Sequence, residues 1–196
     1  MLLQYLVEDI EDKEVIGDTN IDVGKVEYDS SKVQEGDVFV AIKGFEFDGN
    51  EFLKTVVEKK VKAIVVEKDI DVTEFEKEDL TIIKVGSSRK ALAIMAAVFY
   101  DHPAQKLKMI GITGTKGKTT TAYMIRDILL ASGKKTGMIG TIYNTYGNEE
   151  IEATRTSPES LDLQELLKKM VDAGMEFVVM EVSSHALELD RVYGIR

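Results

Sequence analysis

The sequence predicts an α/β fold in two domains, a small α/β domain followed by a domain built around a phosphate-binding loop. Short runs of β-branched residues alternate along the chain with segments whose apolar residues recur at helical spacing, as in sheets covered by helices. A run of glycine, threonine and lysine from Thr113 to Thr121 separates one predicted strand from one predicted helix. The 196 residues suffice for two modest domains, which we place at 1–104 and 105–196.

The composition narrows the possible functions. The net charge of −10 argues against a general nucleic-acid binder, although a phosphate loop can still bind an anionic nucleotide locally. The lack of cysteine excludes disulfides, thiol catalysis and a cysteine zinc site. No cation precedes the apolar start Met1–Val7, so it is a poor signal peptide, and the longest apolar run, 91–100, is too short to cross a bilayer. We therefore expect a cytoplasmic protein with no membrane span and no nucleic-acid partner, and we expect a monomer.

The first domain is predicted to follow a β–α–β–β–α order. Its strands are expected where apolar and β-branched residues run together, at 37–42, 63–66 and 80–85. A helix is expected to begin at Gly49 or Asn50. A second helix is expected to be capped by Ser87 and to end before Pro103.

The second domain is predicted to begin with the phosphate loop. Strands are expected at 107–112, 135–140 and 177–182, a hairpin at 143–153, and helices at 119–131 and 159–173. We expect Gly133 and Gly174 to end the two helices, and Ser157 and Pro158 to be the cap and first residue of the second helix. The strand at 177–182 is expected to form an exposed edge of the sheet.

The phosphate loop carries the clearest chemical signal. Gly114 and Gly117 would let backbone N–H groups turn toward a phosphate at a helix N-terminus. Lys118 would reach the β- and γ-phosphates and the Thr119 hydroxyl would hold Mg²⁺. The standard pattern has glycine at the place of Ile112, and the alternative is a glycine turn before an ordinary helix. The strand–loop–helix context favours the phosphate loop.

A second polar cluster follows the last predicted strand, at Glu181 to His185. Ligands of open α/β sheets bind at the carboxyl ends of the strands, where phosphate-loop enzymes often place an acid for Mg²⁺. Two serines and a histidine beside Glu181 favour the lining of a metal–phosphate site. The alternative is a solvated acid at a strand end. No Gly-x-Ser-x-Gly sequence is present, which argues against a hydrolase triad.

These motifs together resemble one family. Thr-Gly-Thr-Lys-Gly-Lys-Thr-Thr at 113–120 is similar to the loop of the Mur ligases, which build amide bonds with ATP. Glu-Val-Ser-Ser-His at 181–185 and Thr-Ser-Pro-Glu-Ser-Leu-Asp-Leu-Gln at 156–164 resemble the MurE type within that family. Tyr-Asp-Ser at 28–30, the stretch 36–44 and Phe-Asp-Gly at 47–49 agree, although the MurF type shares them.

The resemblance implies an ATP- and Mg²⁺-dependent ligase of peptidoglycan synthesis. Such an enzyme adds meso-diaminopimelate, lysine or a related diamino acid to UDP-N-acetylmuramoyl-L-alanyl-D-glutamate through an acyl phosphate. It implies catalytic roles for Lys118, Glu181 and His185, and Mg²⁺ ligands at Thr119 and Glu181. The implied ATP contacts are Gly114, Thr115, Lys116, Gly117, Lys118, Thr119 and Thr120. The implied contacts to the UDP-sugar peptide are Ser30, Phe45, Glu46, Phe47, Thr156, Ser157, Ser183 and Arg191.

Some positions depart from the family pattern. Lys116 stands where asparagine is frequent, Ser31 where arginine is frequent, and Leu189 where some members have a glutamine that contacts substrate. The family pattern continues past the last residue with a carbamylated lysine and a C-terminal domain, so the resemblance implies the first part of a ligase that binds its ligands without ligating.

Several alternatives remain open at the level of the sequence. A MurF or folylpolyglutamate-synthase-like ligase would use the same ATP chemistry on another substrate. A nucleotide-binding module would bind without turnover. For single residues, Ser157 as a plain helix cap and Arg191 as a surface cation are the structural alternatives.

Overall fold

A computed structural model of the chain describes residues 1–44, 48–76 and 79–195. It divides into two compact units, Met1–Phe99 and Tyr100–Arg196, each with one five-stranded sheet. The predicted α/β class is therefore confirmed. Among the described residues, no helix combines the length and the apolar character that a membrane crossing requires.

The first unit has a mostly parallel sheet. Its strands are β1 (Glu14–Ile16), β2 (Val26–Glu27), β3 (Val38–Val40), β4 (Ala63–Glu67) and β5 (Thr81–Val85), and its α-helices are α1 (Leu3–Val7), α2 (Leu53–Glu58) and α3 (Ser88–Phe99). The strand order is β1-β5-β4-β3-β2, and only β1 is antiparallel to its neighbour. The three strands and two helices expected here are confirmed. The sequence did not predict β1 and β2, which have only three and two residues.

The predicted cap of α3 is also confirmed. The Ser87 hydroxyl accepts a hydrogen bond from the backbone N–H of Lys90 at 3.3 Å. The helix ends at Phe99, and Asp101 and His102 then take left-handed backbone conformations ahead of Pro103.

The second unit has a mixed sheet. Its strands are β6 (Lys108–Ile112), β7 (Thr136–Ile139), β8 (Tyr143–Tyr146), β9 (Glu149–Glu152) and β10 (Phe177–Glu181), and its α-helices are α4 (Lys118–Ala131), α5 (Ser160–Asp172) and α6 (Ser184–Glu188). The order is β6-β10-β7-β8-β9. The first three are parallel, and β8 and β9 form the predicted hairpin, antiparallel to each other and to β7.

The prediction that the strand at 177–182 forms a sheet edge is wrong. In β10, Val179 pairs with Ile110 on one side and with Met138 on the other, so β10 is a central strand. The reason lies in its composition, because its apolar residues Val178 and Met180 are buried as a parallel strand between two others requires. The edges of this sheet are β6, the strand that leads into the phosphate loop, and β9.

The prediction that Ser157 caps α5 is wrong as well. The helix begins at Ser160, and Glu159 occupies the cap position without a side-chain cap bond. The Ser157 hydroxyl instead donates to the carbonyl of Glu181 at 3.1 Å and accepts from the backbone N–H of Ser183 at 3.2 Å. These two groups lie where β10 ends, and a buried hydroxyl satisfies both of them. A tertiary partner therefore replaces the local cap.

The two faces of the second sheet are packed differently. On one face, α5 buries Leu163, Leu167 and Met170 against the sheet. On the other face, α4 has Ala122 as its one buried residue, while Met124 and Ile128 are 61% and 65% exposed. The start of α4 and the end of β10 lie at the same edge of this sheet, because β6 and β10 are parallel neighbours.

Candidate phosphate and metal site

The loop between β6 and α4 has the backbone geometry that a phosphate loop needs. Gly114 and Gly117 have φ of 151° and 78°, values that side-chain-bearing residues rarely adopt. Gly117 occupies the N-cap position of α4, so the free N–H groups of the first helical turn point into the loop. Lys118 folds back over the loop, where its ammonium group donates to the carbonyl of Gly114 at 2.6 Å. The loop thus presents backbone donors and the ammonium group of Lys118.

Glu181 lies beside this loop as a buried carboxylate. Its side chain is at the end of β10 and the residue is 1% exposed. Oε2 accepts hydrogen bonds from the hydroxyls of Thr119 at 2.9 Å and Thr141 at 3.2 Å, and Oε1 accepts from the backbone N–H of Thr141 at 3.0 Å. Within the part of the chain that the structure describes, no cationic side chain forms an ion pair with Glu181. The structure therefore brings together the two residues predicted to hold Mg²⁺, Thr119 and Glu181.

The sequence did not predict Thr141 or Gly140 as part of this cluster. Thr141 follows β7 as Glu181 ends β10, and its hydroxyl oxygen also lies 3.2 Å from the hydroxyl oxygen of Thr156. A Cβ atom at Gly140 would lie 2.7 Å from Oε1 of Glu181, so the glycine makes room for the carboxylate. The signal that points to these residues is their position at the carboxyl end of a parallel strand next to β10.

The side-chain oxygens of Thr119 and Glu181 suit a magnesium ion. Mg²⁺ prefers hard oxygen ligands and usually takes only one or two from the protein, with phosphate and water oxygens filling the rest. A hydroxyl and a carboxylate oxygen are available at Thr119 and Glu181. Among the described residues, no group of three or more His, Cys, Asp and Glu could hold a metal unaided. The site therefore fits an ion that arrives with a phosphate ligand.

Ser183 and Ser157 lie together at the end of β10. The Ser183 hydroxyl accepts from the backbone N–H of Ala186 at 3.1 Å and caps α6, while its backbone N–H donates to Ser157. Thr156 is joined to the same region through Thr141. Three of the residues predicted to bind substrate are therefore close to Glu181.

Arg191 is not a surface cation. Its side chain is 12% exposed, and its guanidinium group lies 2.7 Å from the Glu159 carboxylate and donates to the carbonyl of Ser157 at 3.3 Å. The sequence did not single out Glu159 as a partner. The guanidinium is thus already engaged within the protein.

His185 is the predicted catalytic residue of α6. It is exposed in the first turn of α6, and the hydrogen bonds to the Glu181 carboxylate come from the two threonines. Its predicted catalytic role stays a prediction.

The turn of the first unit that carries Ser30 is held by hydrogen bonds. The carbonyl of Ser30 accepts from the Lys59 ammonium group at 2.7 Å. Asp29 accepts from both the hydroxyl and the backbone N–H of Ser31, and the hydroxyl is the main cause that holds the pKa of Asp29 below its ordinary value of 3.8. Ser31 therefore orders this turn. The predicted contacts Phe45, Glu46 and Phe47 lie outside the described residues.

Two family models match the chain in succession. Residues 22–100 match the model described as "Mur ligase family, catalytic domain", and residues 112–196 match the "Mur ligase middle domain". The chain belongs to the Mur ligase family. The second match contains the phosphate loop, Thr141 and Glu181, so the site described above lies in the Mur ligase middle domain.

Curated Mur ligases similar to the chain are UDP-N-acetylmuramoyl-L-alanyl-D-glutamate--2,6-diaminopimelate ligases. That of Clostridium perfringens is 50% identical over 196 residues, which is 100% of this chain and 40% of that protein. That of Clostridium botulinum is 53% identical over 174 residues, which is 89% of this chain and 36% of that protein. The predicted family and type are confirmed. The chain spans about two-fifths of the length of these relatives.

Solved structures agree on the fold. The structure of a UDP-N-acetylmuramoyl-L-alanyl-D-glutamate--2,6-diaminopimelate ligase superposes on the chain at a TM-score of 0.77 and 22% identity. The match covers 99% of this chain and 38% of that chain. A crystal structure of MurF from Acinetobacter baumannii superposes at 0.57, covering 93% of this chain and 35% of that one, at 26% identity. MurF from Thermotoga maritima, at 27% identity and a TM-score of 0.51, was solved in complex with ADP.

Proposed function

We propose that this chain carries the ATP-binding and UDP-sugar-binding parts of a ligase that adds diaminopimelate to UDP-N-acetylmuramoyl-L-alanyl-D-glutamate. The observation that carries the proposal is the hydrogen bond of 2.9 Å between the Thr119 hydroxyl and the Glu181 carboxylate. It joins the first turn of the phosphate-loop helix to the buried acid of the central strand. The names of the curated relatives support the choice of diaminopimelate over other diamino acids.

In the proposed reaction, a carboxylate of the dipeptide attacks the γ-phosphate of ATP and ADP leaves. The resulting acyl phosphate is attacked by the amine of diaminopimelate, which forms the amide and releases phosphate. The transferred group carries negative charge throughout, so catalysis depends on preorganised donors and cations. Loop N–H groups from Gly114 to Thr120 and the Lys118 ammonium would bind the phosphates.

Thr119 and Glu181 would hold Mg²⁺ through one hydroxyl and one carboxylate oxygen. When bound, Mg²⁺ would neutralise charge on the β- and γ-phosphates. Because the Thr141 N–H and hydroxyl already bond to the carboxylate, Glu181 is held in place before any ligand arrives. This preorganisation favours binding, since less ordering is required when the ligand binds.

The sugar–dipeptide is proposed to lie at the same sheet edge, next to Thr156, Ser157 and Ser183. Their hydrogen bonds to the end of β10 and to Thr141 support this placement. The UDP end is proposed to contact Ser30 and the stretch 45–47 of the first unit.

The second candidate function is that of a MurF-type ligase, whose structures resemble this chain at 26% identity. The identity of 50% to the diaminopimelate ligase favours the first proposal. Titration calorimetry of the 196-residue chain separates them. The first proposal expects UDP-muramoyl-dipeptide to bind more tightly than the diaminopimelate-containing tripeptide, and a MurF type expects the reverse.

ATP binding is tested in the same way, with a non-hydrolysable ATP analogue and Mg²⁺. Lys118→Ala should weaken the affinity by about tenfold or more, because it removes a charged contact to phosphate. Lys108→Ala, a cation on the edge strand and outside the loop, is the matched control. Equal affinities of wild type and Lys118→Ala would contradict the assignment of the loop.

A further inference from the structure

A buried carboxylate lies between two arginines near the proposed substrate site. Glu159 has 5% of its side chain exposed, and one oxygen, Oε1, lies 2.7 Å from Arg191 and 3.0 Å from Arg155. Arg155 is 55% exposed, so its pairing is screened by water. Arg191 is the partner that compensates the buried charge of Glu159.

Glu159 does not act as a helix cap, although it occupies the cap position of α5. Arg191 pairs with Glu159 and also donates a hydrogen bond to the carbonyl of Ser157. In the described structure, the Nε atom of Arg191 is buried without a hydrogen-bond partner. The orientation of this guanidinium therefore depends on the ion pair and on the Ser157 carbonyl. The pair ties the segment before α5 to the segment after α6.

The two tied segments carry the groups beside Glu181. Ser157 bonds to the carbonyl of Glu181 and to the N–H of Ser183, and Thr156 is bonded through Thr141 to the Glu181 carboxylate. Displacing Arg191 would release the Ser157 carbonyl and allow this strand end to shift. A shift of even one ångström at such a site weakens productive binding.

We propose that Glu159 is a positioning residue for the sugar–dipeptide substrate, which it serves by fixing Arg191 against the Ser157 carbonyl. This inference rests on the proposed function, because it names a residue that shapes the substrate side of the same site. The ion pairs of Glu159 are made with Arg155 and Arg191. The loss of Glu159 is therefore expected to lower the affinity for the sugar–dipeptide more than the affinity for the nucleotide.

The test is calorimetry of the 196-residue chain with UDP-muramoyl-dipeptide and, separately, with an ATP analogue and Mg²⁺. Glu159→Gln keeps the shape and removes the charge. We expect dipeptide affinity to fall by about tenfold or more, while nucleotide affinity stays within about twofold. Arg155→Ala, which removes only the exposed partner, should leave both affinities unchanged.

Loss of stability alone is controlled by Leu161→Ala. This change truncates a buried side chain of α5 without touching the ion pair, and it should lower the unfolding midpoint while leaving dipeptide affinity intact. If Glu159→Gln does not fold, Glu159→Asp replaces it, since it keeps the charge but draws it back by one methylene. A several-fold loss of dipeptide affinity alone is expected there.

The outcomes separate the two claims. Unchanged dipeptide affinity in the Glu159 variants, or an equal loss for dipeptide and nucleotide, overturns the positioning role and leaves the proposed function standing. If the wild-type chain binds the nucleotide but not the dipeptide, the proposed function and this inference both fail.

Discussion

Replacing Gly140 by alanine should disturb the Glu181 carboxylate without unfolding the protein. The added Cβ would lie 2.7 Å from Oε1 of Glu181, whereas ordinary contacts begin at 3.4 Å, so the carboxylate must withdraw by about 0.7 Å. The hydrogen bond from the Thr141 N–H, now 3.0 Å, would then exceed the usual limit. A hydrogen bond to a charged group contributes about 1.5–3 kcal/mol.

The expected consequence is a smaller effect of Mg²⁺ on nucleotide binding. Losing the lower end of that range corresponds to about a tenfold change in a binding constant. Affinity for an ATP analogue would be measured by calorimetry with and without Mg²⁺, and the ratio of the two values should fall by about tenfold in Gly140→Ala. The affinity without Mg²⁺ should not change, because the loop and Lys118 are untouched.

A neighbouring glycine provides the matched control. Gly137→Ala in β7 would place a Cβ 3.0 Å from the Met170 sulfur and 3.2 Å from the carbonyl of Thr145, away from Glu181. We expect it to lower stability in urea and to leave the Mg²⁺ effect intact. If Gly140→Ala binds nucleotide with the full Mg²⁺ effect, then the position of this carboxylate does not matter for the metal and the reasoning is refuted.

Three further predictions concern single groups. Glu181→Gln should raise the Mg²⁺ concentration needed for half-maximal nucleotide binding, and a normal Mg²⁺ titration would support a plain structural acid. Ser157→Ala should lower the free energy of unfolding by about 1–3 kcal/mol, measured in urea, because it leaves two backbone groups without their hydroxyl partner. The pKa of Asp29 is lowered in the folded protein, so its contribution to folding stability is complete above pH 3.8 and is lost as the pH falls through its folded-state pKa. Asp29→Asn should therefore make stability less sensitive to acid. Identical acid-unfolding curves of the variant and the wild type would contradict this prediction.

The sequence could predict the elements whose signals are local. The phosphate loop was recognisable because glycine, lysine and threonine follow each other between a strand and a helix, and the structure confirms that order around Gly117. The helix α3 was recognisable from its cap at Ser87. The strands β1 and β2 were not predicted because two or three residues are too few to show an alternation of apolar and polar side chains.

The errors concern contacts between distant segments. The place of β10 in the sheet depends on how crossovers order the strands, which no single stretch encodes. Ser157 has the composition of a cap, but partners from β10 and α6 compete successfully for its hydroxyl. Thr141 was missed because its role exists only when the ends of β7 and β10 are adjacent. The residue types of the site could be anticipated, and their mutual bonds could not.

The position of β6 at the rim of its sheet has a dynamic consequence for the nucleotide loop. In the described part of the chain, β6 exchanges hydrogen bonds with β10 alone, and its residues are exposed or half-buried. In this 196-residue chain the loop therefore continues directly from a strand that can fray from one side. A nucleotide that orders the loop should also reduce local opening of β6, the strand before it. Amide exchange on addition of an ATP analogue should slow more in Lys108–Ile112 than in Phe177–Glu181, whose amides are already protected between two neighbours.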